Sequence, residues 1–198
     1  MPQPVVIFPY DPAWPQVFAA IEARLAEALG GCALAIEHVG STAVPGLAAK
    51  PIIDIDVVIA AETDLPLAAG RLASIGYAHK GEQGVAGRHA FSRPQDLPSH
   101  HLYVCAADNL ELARHLAFRD HLRASPGDAG AYARLKYELA ERFGADRDGY
   151  SQAKSAFVEQ MLRKAASRRS PGRASPPLTT SSHPFDGTKL RLGRFRRE

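Results

Sequence analysis

The segment Ile52 to Ile59, IIDIDVVI, sets the tightest limit on the fold, because every residue in it except Asp54 and Asp56 is aliphatic and β-branched. Such side chains suit a pleated strand, and a run this apolar suits one that is largely buried. Side chains alternate along a strand, so Ile53, Ile55, Val57 and Ile59 face one way while Ile52, Asp54, Asp56 and Val58 face the other. Both carboxylates then project from one face, a single i to i+2 step or roughly 7 Å apart. Surroundings this apolar demand a partner for them.

A hard divalent cation meets that demand, since Mg²⁺ takes oxygen ligands from one or two carboxylates with waters and substrate phosphates. Upstream stand Gly40 and Ser41, expected to form a turn. A glycine lets backbone approach a phosphate closely, and successive N–H groups with a serine hydroxyl make an anion cradle. Asp54 and Asp56 are therefore expected as metal-holding, catalytic carboxylates, with Gly40 and Ser41 on the phosphates. The competing reading is an ordinary loop followed by a solvated or ion-paired strand face.

Further candidates lie downstream. Arg88 follows a stretch with three glycines in residues 81–87, where its guanidinium either clamps a phosphate as a fork or makes a surface ion pair. His100 to Cys105 reads as a strand with His101, Tyr103 and Cys105 on one face. If it lies beside Asp54 and Asp56, His101 joins the metal ligands, in which case Mn²⁺ or Zn²⁺ suits the imidazole better than Mg²⁺; otherwise it is structural. Lys154 interrupts an apolar helical stripe of Tyr150, Phe157 and Met161. Its ammonium either snorkels out or reaches an anionic cleft. Lys136 is a weaker candidate of that kind, and Lys50 either serves a phosphate or marks the solvated end of the acidic strand.

Helices are expected from Asp11-Pro12, with Trp14, Phe18, Ile21, Leu25 and Leu29 on the core stripe and Gly30-Gly31 as the stop. The next runs from Asp64 with Leu65, Leu67, Leu72 and Ile75 inward, followed by an extended segment at Tyr77 to Lys80. Asn109 to Ala124 is expected to be helical and broken by Pro126-Gly127, with Arg119-Asp120 exposed or between helices. Asp128 is expected to cap a helix bearing Tyr132, Leu135, Leu139 and Phe143, and a last helix starts near Gly149. The pattern implies an α/β (α+β) fold with a mixed, mostly antiparallel sheet of four or five strands and a C-terminal helical section.

The segments EHVGSTAVPGLAAKPIIDIDVV, GEQGVAGRHAF, HHLYV, HLAFRDHLR and YARLK, with Y-x-x-x-K-x-x-F from Tyr150 to Phe157, resemble the GrpB family over about residues 4–166. That resemblance implies a nucleotidyltransferase-like fold and a link to dephospho-CoA kinase or a protein-folding accessory role. It also implies a Gly-Ser opening the site, an Asp-x-Asp pair on the next strand and a third carboxylate on a neighbouring strand. Gly40, Ser41, Asp54 and Asp56 match, while the third acid has no clear counterpart. The expected activity is nucleoside triphosphate binding through Mg²⁺ or Mn²⁺, with transfer of a nucleotidyl group to an acceptor. The alternative is a non-catalytic accessory module binding a nucleotide or other phosphorylated small molecule.

Charge divides the 198 residues in two. Residues 167–198 hold eight Lys or Arg and two acids, net +6, leaving sixteen basic and nineteen acidic residues in 1–166, net −3. The tail, rich in Ser, Pro and Arg, lacks the apolar content to order itself and reads as a solvated appendage rather than a nucleic-acid-binding arm. Residues 1–166 are expected to form one domain. Cys32 and Cys105 lack metal-ligand spacing and read as packed thiols in a reducing cytoplasm. No run of eighteen apolar residues and no charged-then-apolar leader is present, so neither a membrane span nor a secretory signal is expected.

Overall fold

Five strands, β1 (Ala35–Val39), β2 (Ile53–Ile59), β3 (Ala78–Gly81), β4 (Arg88–Ser92) and β5 (His100–Ala106), form one sheet in the order β1-β2-β5-β4-β3. The structure is a computed structural model describing residues 4–168, so the basic tail beyond Arg168 lies outside the described residues. β2 pairs in parallel with β5, and the other three pairings are antiparallel. A parallel pair needs a crossover. Here it is supplied by α2 (Leu65–Ser74) and the β3-β4 hairpin.

The strand alternation expected for β2 sorts the sheet into two faces. Ile53, Ile55, Val57 and Ile59 pack with Leu102, Val104 and Phe91 against α1 (Trp14–Leu29) and α2. Ile55 and Val57 are fully buried, and each such side chain contributes about 1.5–3 kcal/mol. Trp14 belongs to this core, a packing residue as its stripe implied. The opposite face carries Asp54, Asp56 and Val58. α3 (Leu110–Ala124) covers its far end through Leu112, against Val58 and Cys105. Asn109 caps α3, its side chain accepting from the N–H groups of Glu111 and Leu112.

Three further helices, α4 (Pro126–Phe143), α5 (Arg147–Ala153) and α6 (Ser155–Arg168), complete the fold. Two smaller cores fasten them to the segment between β1 and β2 and to the N-terminal arm. Tyr132, Leu122 and Met161 pack with Val44 and Leu47, while Leu139 and Tyr150 pack with Val5.

Several boundaries differ from expectation. α1 begins at Trp14 because Asp11 accepts from the Ala13 N–H at 2.8 Å and holds a turn ahead of the helix. On α2 the buried positions are Ala68 and Leu72, and Leu67 is exposed. The break expected at Pro126-Gly127 is present, since α3 stops at Ala124 and a new helix, α4, opens with Pro126 in its first turn, where a missing N–H costs nothing. Asp128 accepts from His121, Ser125 and Lys164, and the Lys164 hydrogen bond leads in drawing its carboxyl down to about 2. The last helix is two segments, interrupted at Lys154. Among the described residues no helix is long and apolar enough to cross a membrane.

Candidate functional site

The register of β2 on β5 sets Asp54 beside His101 and Asp56 beside Tyr103. His101 Nδ1 lies 2.8 Å from Asp54 Oδ1. On the other side of the carboxylate comes the Gly40-Ser41 turn. Gly40 has φ 71° and ψ −168°, a region that only glycine visits freely. A Cβ there would stand 2.2 Å from Asp54 Oδ2, so the turn rests on the acid because position 40 has no side chain.

Ser41 opens a single 3₁₀ turn, Ser41–Ala43, and its hydroxyl accepts from Lys136 Nζ at 3.0 Å. Lys136 donates also to the Ala48 carbonyl, so α4 is pinned beneath the turn by one ammonium. These groups line a cavity of about 210 Å³ together with Lys50, Thr42, Tyr150 and Lys154. Three lysines and one open carboxylate give the cavity a lining suited to anions.

Each buried lysine records the charge crowding. Lys136 is 3% exposed; burial first, then the charge of Lys154, pull it down to about 7. Lys154 falls to about 8, through burial and then the charge of Lys50, with Asp54 opposing. Its ammonium sits 4.4 Å from the Tyr150 ring centroid, which supplies an electrostatic partner without a counter-ion. An anion placed between them would draw both lysines back toward their ordinary range.

Asp56 shares the face of Asp54 but not its surroundings. It is 1% exposed, and its Oδ2 lies 2.7 Å from His115 Nδ1 on α3. Burial lowers the His115 pKa, yet the hydrogen bond and charge of Asp56 outweigh it and hold the imidazole above its ordinary value. The second oxygen, Asp56 Oδ1, is buried without a hydrogen-bond partner. An orphaned carboxylate oxygen is costly unless a cation or proton answers it, so the acidic pair fits a divalent ion held by Asp54 and Asp56.

The structure thus brings together Gly40, Ser41, Asp54, His101 and Lys154, and sets Asp56 one step deeper beneath α3. Arg88 is not brought to the cavity. Its guanidinium carbon lies 4.3 Å from the Tyr103 ring centroid, and its Nε is buried without a partner. His100 faces the first core, bonded to the Tyr77 hydroxyl and the Pro98 carbonyl. Arg119 pairs with the exposed Asp120 at 2.8 Å as expected, and it also donates to Glu37 and to the His38 carbonyl, which ties α3 to β1.

The family model described as GrpB protein matches residues 4–164. The chain belongs to the GrpB family. Similar to it is the crystal structure of conserved protein GrpB from Enterococcus faecalis, with 36% identity and a TM-score of 0.74, covering 83% of this chain and 99% of that one. A UPF0157 protein of Halalkalibacterium halodurans is 37% identical, covering 81% of this chain and 82% of the relative. Also similar is a dephospho-CoA kinase of Mycolicibacterium paratuberculosis, 33% identical over 82% of this chain but 46% of that protein. The match spans about half of that longer relative.

In this GrpB chain the partner of Asp56, His115, opens the HLAFRDHLR segment but carried no expectation of its own. His115 follows Leu112 by three positions and precedes Leu116 by one, so helical spacing sets it on the sheet-facing stripe. That spacing was the available signal. Lys136, the weaker candidate beside Leu135, proves the more buried of the two helical lysines, because α4 crosses under the Ser41 turn, a tertiary fact.

Proposed function

We propose that this GrpB protein binds a nucleoside triphosphate through Mg²⁺ or Mn²⁺ held by Asp54 and Asp56, and transfers its nucleotidyl group to an acceptor hydroxyl. The observation that carries the reading is one cavity where Asp54, Ser41 and three lysines meet. When bound, the cation neutralises phosphate charge and makes a contacting hydroxyl more acidic. The protein supplies the rest. The Gly40-Ser41 turn cradles phosphate oxygens, and Lys136, Lys154 and Lys50 offset the polyphosphate charge. His101 positions the Asp54 carboxylate through its Nδ1. In the transfer, the acceptor oxygen bonds to the α-phosphorus while the bond to pyrophosphate breaks, and the hydroxyl proton leaves to solvent or base.

Titration calorimetry with ATP, GTP, CTP and UTP in Mg²⁺ or Mn²⁺ tests the binding. Metal-dependent heat for a nucleotide, lost in Asp54→Asn, is expected; no heat, or equal heat in the variant, rejects the proposal. Release of pyrophosphate from labelled nucleotide tests the transfer.

A second reading keeps the ligand and drops the chemistry, as an accessory module tied to coenzyme A synthesis or protein folding. It is favoured by Asp56, which is 1% exposed and engaged by His115, and by the relative named dephospho-CoA kinase. Nucleotide binding without pyrophosphate release supports this reading, and turnover abolished by Asp56→Asn rejects it.

A further inference from the structure

A second cluster of metal-ligating side chains lies at the other side of the sheet, in residues with no part in the cavity. Glu62 sits in the turn Glu62–Asp64 after β2, Glu82 in the β3-β4 loop and His89 on β4. One ligand atom from each comes within 4.8 Å of the others. His89 Nε2 is 3.2 Å from Glu62 Oε1, and the imidazole is only 11% exposed. We infer that Glu62, Glu82 and His89 form a binding site for a transition-metal cation of the Zn²⁺ or Mn²⁺ class.

Three features make this more than a meeting of acids. The His89 ring is held at both nitrogens, with His79 Nε2 3.2 Å from its Nδ1. When His79 accepts from His89 Nδ1–H, the tautomer is fixed and the Nε2 lone pair points to the carboxylates, the outer support that metal-binding histidines use. Glu82 is likewise oriented, its Oε1 accepting from the Gly87 N–H at 2.6 Å. The donor set, one imidazole and two carboxylates, suits borderline cations over Mg²⁺. Bonds of about 2.1 Å require the exposed glutamates to close inward by about 1 Å. The ion would clamp the β3-β4 edge of the sheet to the turn that follows β2.

The test is Zn²⁺ and Mn²⁺ titration of tag-free, full-length Asp54→Asn protein, which silences the cavity so that failure there leaves this site untouched. A single saturable ion is expected. Glu62→Gln and Glu82→Gln, both at exposed positions, should abolish it, and His79→Ala should weaken it about 10–100-fold. In the same background Zn²⁺ should raise the unfolding temperature, and Glu82→Gln should erase that rise. No saturable binding, or binding and thermal shift unchanged in both glutamine variants, overturns the site and leaves adventitious surface binding.

Discussion

His101 Nδ1 and Asp54 Oδ1 lie 2.8 Å apart, a contact imposed by the parallel pairing that sets position 54 opposite position 101. The Asp54 side chain is 34% exposed, so its charge can be removed without opening the core. Asp54→Asn should alter stability by less than about 1 kcal/mol while losing metal-dependent nucleotide heat. His101→Gln should weaken Mn²⁺ affinity about tenfold. Unchanged Mn²⁺ affinity in His101→Gln would show that the imidazole neither orients nor joins the metal ligands.

Gly40→Ala places a methyl group where Asp54 Oδ2 lies 2.2 Å away and forces a side chain into φ 71°. The backbone strain alone costs on the order of 1–3 kcal/mol. Urea unfolding should show that loss, and nucleotide affinity should fall with it as the carboxylate is displaced. Stability at the parental level would mean the turn has freedom that the geometry denies.

Polyphosphate affinity should rise as the solution is acidified. Lys154 and Lys136 sit at about 8 and about 7, and an anion between them favours their charged forms. Calorimetry at about pH 8 in buffers of different ionisation heat should detect net proton uptake on binding, and Lys136→Met should diminish it. The same lysines set a stability slope. A lysine depressed from 10.5 to about 7 binds fewer protons folded than unfolded between those values, so stability should climb with pH across that window. Lys136→Met should flatten the climb. Absence of proton uptake in the parent would disprove the coupling.

His115 gives the opposite slope. Its folded pKa exceeds 6.5, so its contribution to stability is fully present below pH 6.5 and is lost as pH rises through the folded value. The stability gap between parent and His115→Gln should be widest near pH 6, at about 1–3 kcal/mol, and should narrow by about pH 8. A gap independent of pH would assign the histidine a purely packing role.

Much of this architecture was legible from side-chain chemistry. The alternation in IIDIDVVI located β2, divided its faces and put both acids on one of them, and the same reasoning set His101 ahead of His100. Exposure of individual groups was not legible. Asp54 and Asp56 look equivalent in a strand, but only one lies beneath α3, and that depends on where Leu112 docks. Lys136 is buried because Tyr132 and Leu139, on its own helix, are drawn into two different cores. Arg88 follows its cross-strand neighbours onto Tyr103, a choice made by the β4-β5 register rather than by the glycines before it.

The cavity is assembled from distant chain. Asp54 and His101 are 47 residues apart, and Ser41 and Lys136 are 95 apart. Contacts of such long range carry a loop-closure cost that must be met before any of them stabilises the chain. A ligand captured there would thus double as a proofreader of topology, selecting molecules in which the crossover has been threaded and the last helices have docked.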